Sequence, residues 1–251
     1  MNKLLLCLLI IVFATSCASR KEVIYFQDAD LLDQQALPPA FEPVIERNDI
    51  LYITVSSLNE ELTLPFKRNV GMENMNMANN LELQGYLVTS DGVINFPVLG
   101  EIPVQGKTRK EVKQQLEQQL RNYITDAEVD VRIINFKVSV MGEVKMPGLY
   151  TIRDERVTLP QALALAGDLT RDGNRKKIRI VREQDGKQLV GNIDLTASGI
   201  FSSPFFFLKQ NDLIYVEPNT RGVKKSGLIE NVPVLLSLVT VILSSVVLIT
   251  R

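Results

Sequence analysis

Apolar residues gather at the two ends of this chain and alternate, or recur at helical spacing, in between. Met1-Asn2-Lys3 leads into an unbroken apolar run from Leu4 to Phe13, followed by Ala14-Thr15-Ser16. A short basic start, an apolar stretch and small residues before a cut site predict a secretory signal peptide over 1–16. The run is too short for a bilayer span, which needs about 20 residues. At the other end, Val232 to Ile249 carries no formal charge. As a helix it would be about 27 Å long, close to the ~30 Å hydrocarbon core, so a membrane span is expected there. At 100° per residue, Ser237, Thr240 and Ser244 fall within about 60° of one another. That stripe lines a water-filled lumen if several copies ring an axis; small-residue helix packing and a simple tail anchor are the alternatives.

The middle of the chain reads as two small α+β units. Leu51, Ile53 and Val55 alternate with Tyr52, Thr54 and Ser56, predicting a strand over Asp49 to Ser56. Residues 59–80, rich in Asn and Met, read as a long mobile loop. Asp91-Gly92 within Gly85 to Gly100 predicts a hairpin. Thr108-x-x-Glu111 is a capping box, and Val112, Leu116, Leu120 and Tyr123 follow at helical spacing. Alternation returns from Glu128 to Ile133. Two strands flank Pro147-Gly148, and a short helix runs from Thr158 to Ala166 with Gly167 suited to end it. Strands over Lys177 to Arg182, Gln188 to Leu195 and Asp212 to Glu217 complete the second unit.

Composition narrows the chemistry. The 251 residues include no histidine, no tryptophan and two cysteines, Cys7 and Cys17. Imidazole-based nucleophile systems and metal sites are therefore excluded, as are four-thiolate clusters. No phosphate-binding glycine loop occurs, and no cofactor is expected. A glycan hydrolase using two carboxylates remains formally open, but Asp91, Asp185 and Asp212 read as turn or strand-edge residues. The charge balance, 28 basic against 29 acidic, gives no reason to expect nucleic acid. The densest basic run, from Arg171 to Arg182, reads as a solvated strand-and-turn face.

Cys17 directly follows the small residues, which resembles the lipobox of bacterial lipoproteins, with Ala14 where the strictest form has Leu. That resemblance implies cleavage before Cys17 and a covalent lipid on its thiol; an ordinary secretory signal is the alternative.

Gly85-Tyr-x-Val-x-x-Asp-Gly-x-Ile-x-Phe-Pro-x-Leu-Gly100, with the helix after it, resembles the polysaccharide-export domain of outer-membrane exporter lipoproteins. Val140-Met-Gly-Glu-Val-x-x-Pro-Gly-x-Tyr150, the Leu159–Gly167 helix and Asn211-Asp-Leu-Ile-Tyr-Val-Glu-Pro218 resemble the SLBB (soluble-ligand-binding β-grasp) module of the same proteins. The organisation implied is α+β: signal peptide 1–16, extended linker 17–43, export domain 44–135, SLBB domain 136–218, and linker plus transmembrane helix 219–251. The resemblance further implies a homo-oligomeric ring, octameric in the best-known relatives, through which capsular polysaccharide or exopolysaccharide leaves. An inner-membrane polysaccharide co-polymerase, often a tyrosine autokinase, would stand below it. The location implied is the bacterial outer membrane, lipid-anchored at Cys17, with the bulk of the chain periplasmic. Ser237, Thr240 and Ser244 become the lumen-facing candidates. A membrane-anchored glycan-binding or scaffold lipoprotein without a pore is the competing reading. One SLBB module stands here where the larger exporters have two, and the last helix lacks an interfacial Trp.

Overall fold

The computed structural model describes residues 22–31, 41–68, 81–184 and 186–225, together with Ser237, Thr240, Val241, Ser244 and Ser245. Two hydrophobic cores organise it, one in each α+β unit.

In the first unit, β1 (Ile50–Ser56) is the centre of an antiparallel sheet ordered β2-β1-β5, with β2 at Tyr86–Leu87 and β5 at Glu128–Ile133. The alternation read in the sequence sends Leu51 and Val55 of β1, with Val129 and Val131 of β5, into the core. Helix α1 (Arg109–Leu120) starts at the expected capping box, where Thr108 and Glu111 satisfy each other's backbone N–H groups. Its buried stripe is Val112, Leu116 and Leu120, all fully excluded from solvent. A fully buried Leu contributes roughly 1.5–3 kcal/mol, so this stripe anchors the helix. Tyr123 departs from the expected stripe: it lies past the helix end, 55% exposed, with its ring edge against Phe66 at 5.6 Å.

The expected hairpin is displaced. β3 (Val93–Phe96) pairs with β4 (Gly100–Pro103) and not with the preceding segment, so Ile94 and Ile102 face each other in the core. Asp91-Gly92 closes a turn, Gly92 N–H to Thr89 carbonyl at 3.0 Å, with Gly92 alone of the pair at positive φ (76°). β2 is captured by β1, because Tyr86 is buried there against Phe96. The segment expected as a loop from 59 also holds structure. Glu60–Phe66 forms a 3-10 helix capped by the Asn59 side chain, and Phe66 and Thr63 are buried. Residues 69–80 lie outside the described residues.

The second unit is a five-stranded sheet ordered β7-β6-β10-β8-β9. Its strands are β6 (Lys137–Gly142), β7 (Gly148–Thr151), β8 (Gly173–Gln184), β9 (Lys187–Ile193) and β10 (Leu213–Pro218). Only the central β6–β10 pair is parallel. Helix α2 (Leu159–Leu165), with its own capping box at Thr158 and Gln161, covers one face with Leu159, Ala162 and Leu163. Gly142 (φ 86°) ends β6 where the Val216 carbonyl fills the space a Cβ would need, so no other residue fits.

Three sequence readings are corrected in this unit. Arg182 is not on a solvated face. It is 4% exposed and forms a two-pronged pair with Asp212, Nε to Oδ1 at 2.9 Å and Nη2 to Oδ2 at 2.6 Å. Asp212 is likewise no strand-edge residue: it is fully buried and also accepts from the Lys209 N–H at 2.8 Å. Part of the expected extended linker is docked. Residues 22–31 strap across the second unit through Phe26 N–H to Leu195 carbonyl (3.0 Å), Gln27 N–H to Thr196 carbonyl (2.8 Å) and Ser198 N–H to Asp28 Oδ1 (2.5 Å). Phe26 explains the docking, because its ring packs on Phe201 at 5.1 Å and joins the core.

Beyond β10, helix α3 (Thr220–Lys225) ends the continuous chain. Among the described residues no helix is long and apolar enough to cross a membrane. The expected span, 232–249, lies outside the described residues except for five positions, all helical: Ser237, Thr240, Val241, Ser244 and Ser245.

Candidate functional site

Cys17, the expected lipid attachment point, lies outside the described residues. Ser237, Thr240 and Ser244 are helical and exposed. The Thr240 hydroxyl donates to the Ser237 carbonyl at 2.7 Å, and the Ser244 hydroxyl donates to the Thr240 carbonyl at 2.6 Å. Ser245 repeats the pattern on Val241 at 2.8 Å. These hydrogens are therefore spent on the helix backbone, and the oxygens present lone pairs outward. A stripe of this kind offers weak acceptors and no charge.

A second feature is a cleft of about 1120 Å³ between the two units, which the sequence reading missed. The units are joined by only three residues, Ile134 to Phe136, between β5 and β6. Asn135 clasps them. Its side chain donates to the Asn48 carbonyl and accepts from the Ile50 N–H, each at 2.8 Å, while its own carbonyl accepts from Gln210 Nε2 at 2.9 Å. Gln210 Oε1 in turn accepts from the Lys137 N–H at 2.7 Å.

Around that clasp the cleft is bridged at three places. Arg109, in the first turn of α1, pairs with Glu155 of the second unit at 2.5 Å and donates to the Val131 carbonyl at 3.3 Å. Lys209 lies 3.9 Å from Glu46. Phe41 stacks on Phe207 at 4.9 Å with the rings nearly parallel. The base is buried and mostly apolar, formed by Phe136, Ile152, Leu208 and Asp49.

Asp49 is the anomaly there. It is 2% exposed; Oδ2 accepts from the Glu46 N–H at 2.8 Å, but buried Oδ1 has no partner among the described residues. Burial pushes its carboxyl up to about 6, the bond from Glu46 N–H opposes that shift, and the Glu46 charge adds to it. Arg153-Asp154-Glu155-Arg156, four successive charges between the buried Ile152 and Val157, was the available signal for the cleft. Nothing in a linear pattern says that β5 and Phe41 would lie opposite it. Among the described residues no group of three Cys, Asp or Glu side chains could hold a metal.

Both ends of the described chain converge on one loop of the second unit. Tyr25 donates to Asp168 Oδ1 at 2.6 Å, and Arg175 lies over its ring at 5.5 Å. Burial and the Asp168 hydrogen bond push the Tyr25 hydroxyl well above its usual range. On the C-terminal side, Asn219 N–H donates to the Asp172 carbonyl at 2.6 Å, its side chain to the Arg171 carbonyl at 3.0 Å, and Arg221 lies 3.5 Å from Asp172.

Comparison with known proteins agrees with this architecture. Residues 38–134 match the family described as "Polysaccharide biosynthesis/export protein", and residues 136–216 match the SLBB domain. The "EPS I polysaccharide export outer membrane protein EpsA" of Ralstonia solanacearum is 31% identical over 198 residues, covering 76% of this chain and 51% of that protein. The protein of the same name from Ralstonia nicotianae is 34% identical over 139 residues, covering 54% of this chain and 36% of that protein. The chain thus spans about half the length, or less, of these curated relatives. With the two domain matches in tandem over most of its length, and an export-type unit followed by a five-stranded SLBB sheet, the chain belongs to the polysaccharide biosynthesis/export family.

Proposed function

We propose that this protein is an outer-membrane lipoprotein that assembles into a homo-oligomeric ring and conducts capsular polysaccharide or exopolysaccharide out of the cell. Proteins of this family are transport components and not enzymes. The observation that carries the reading is the convergence of the two ends. The strap begins at Glu22, five positions after Cys17, and α3 ends at Lys225, seven before Val232. Both meet the segment from Asp168 to Arg175, the loop before β8 and the first residues of that strand. A lipid on Cys17 and a span from Val232 would therefore pull on the same side of the SLBB domain. That domain would face the membrane, leaving the export domain to reach toward an inner-membrane co-polymerase.

Support for self-assembly comes from the sheet face that α2 leaves open. Leu149, Ser139, Leu213, Val181 and Val190 form one cross-strand row on it, with Leu149 66% and Val190 55% exposed. A row that is apolar at four of its five positions is the kind of surface a neighbouring copy covers. Ser237, Thr240 and Ser244 would then turn their lone pairs to the lumen, where neutral acceptors let a hydrated polymer slide.

Replacing all three by Leu should abolish surface polysaccharide while detergent-purified particles keep their ring symmetry. Unchanged export with intact rings would refute the lumen assignment, and monomeric particles of the unmutated protein would refute the conduit. A monomer that still bound polysaccharide would instead support the anchored glycan-binding alternative.

A further inference from the structure

We propose that the interdomain cleft is a saccharide-binding subsite that holds a short stretch of the polymer through Glu42, Arg153 and Asp154. The polymer's identity as substrate rests on the export reading; the site itself rests on the geometry of the cleft. At about 1120 Å³ it is slightly larger than the ~300–1,000 Å³ of ordinary small-ligand pockets, room enough for a short oligosaccharide.

The polar groups lining it divide into two sets. Arg109 and Glu155, and Lys209 and Glu46, bridge the domains, while Arg132 is paired with Asp130 along β5 at 2.8 Å. Glu42, Arg153 and Asp154 are different. All three are exposed at the cleft, and none has a polar partner among the described residues. The base beneath them, formed by Asp49, Phe136, Ile152 and Leu208, is closed to solvent, and the apolar surface left open in the cleft includes Val44 and Phe41.

The ligand class follows from this mixture. An anion would require a basic excess, but the lining holds six carboxylates against four cationic side chains. A metal would require clustered ligands, which are absent among the described residues. A sugar hydroxyl both donates and accepts. Neighbouring hydroxyls on one ring match planar two-atom groups, carboxylates and guanidinium, of the kind Glu42, Asp154 and Arg153 present. Exposed Val44 and half-buried Phe41, which also line the cleft, offer apolar surface to the face of a sugar ring. Exposed hydrogen bonds compete with water, so the hold is weak enough for a moving chain.

The test uses the purified full-length chain in detergent. The probe is a set of short oligosaccharides released by mild acid from the producing bacterium's own surface polysaccharide. Calorimetry and saturation-transfer NMR should give saturable binding with Kd on the order of a millimolar. Arg153→Ala with Asp154→Ala should weaken it about tenfold or more, while Tyr215→Ala, which does not line the cleft, should leave it unchanged. Equal affinity in the double variant, or no saturable binding by the unmutated chain, overturns the proposal. Should circular dichroism show the double variant unfolded, Glu42→Gln decides: weaker binding supports the site, and unchanged affinity overturns it. The export reading fails separately, if cells lacking the protein still display polysaccharide.

Discussion

Each domain buries one aspartate, and the two are treated in opposite ways. Asp212, in the SLBB domain, is fully buried, and both its oxygens are engaged by the Arg182 guanidinium, which also donates to the Pro204 and Phe207 carbonyls. Asp49, in the export domain, is nearly as buried, yet holds a single backbone donor and leaves one oxygen bare. The Arg182–Asp212 pair ties β8 to the loop before β10. Asp49 sits at the domain junction, where one wall of its surroundings is the cleft. The buried carboxylate inside the SLBB domain is thus fully engaged by its arginine, and the one at the junction is under-satisfied.

The largest effect expected from breaking this contrast is at Asp212. Asp212→Ala strands the Arg182 charge in the core, and chemical denaturation should show a loss of about 3–5 kcal/mol. Hydrogen exchange should locate that loss in the SLBB sheet, leaving α1 of the export domain protected.

At Asp49 the sign reverses. Its folded carboxyl titrates near 6, above the ordinary value of 3.8. Its protonated form is therefore favoured by folding, a contribution complete below about pH 4 and lost as pH rises through 6. Asp49→Asn should raise stability at pH 7 by up to about 3 kcal/mol and remove that fall between pH 4 and 6 from thermal melts. A variant that melts lower than the parent at pH 7 would show that the carboxylate is satisfied there.

The smallest effect belongs to the bridge over the cleft. Glu155 is 67% exposed, so Glu155→Gln should cost under about 1 kcal/mol in global stability. It should nonetheless broaden the spread of interdomain distances measured by paired spin labels, because Arg109 loses its charged partner on the second unit. An unchanged distance distribution would assign the interdomain angle to the Asn135–Gln210 clasp alone.

Much of the fold was legible in the chain because it is local. Capping boxes at Thr108 and Thr158 each lie within four residues, and the buried stripe of α1 and the alternation of β1 and β5 repeat at fixed periods. Tyr123 and the 3-10 helix over Glu60–Phe66 were local misreadings, but the others concern partners far apart in sequence. Asp91-Gly92 has turn chemistry, but turn chemistry cannot reveal that β2 would be claimed by β1. Arg182 sits in a basic run that looks solvated until Asp212, thirty positions on, is brought beneath it. Residues 22–31 look like a linker because their partners, Leu195 to Ser198, lie about 170 residues away.

The sequence by itself determined the absence of imidazole chemistry, the apolar ends, the periodicities and the order of two recognisable modules. Each of these is a property of composition or of neighbours along the chain. Only the tertiary structure decided that Tyr25 of the strap and Asn219 and Arg221 after β10 meet the segment from Asp168 to Arg175, that one aspartate is neutralised by an arginine while the other is left partly bare, and that a cleft opens where the modules meet. Those features depend on which surfaces face each other after burial, and a pattern of apolar positions fixes which side of an element is hidden without naming what hides it.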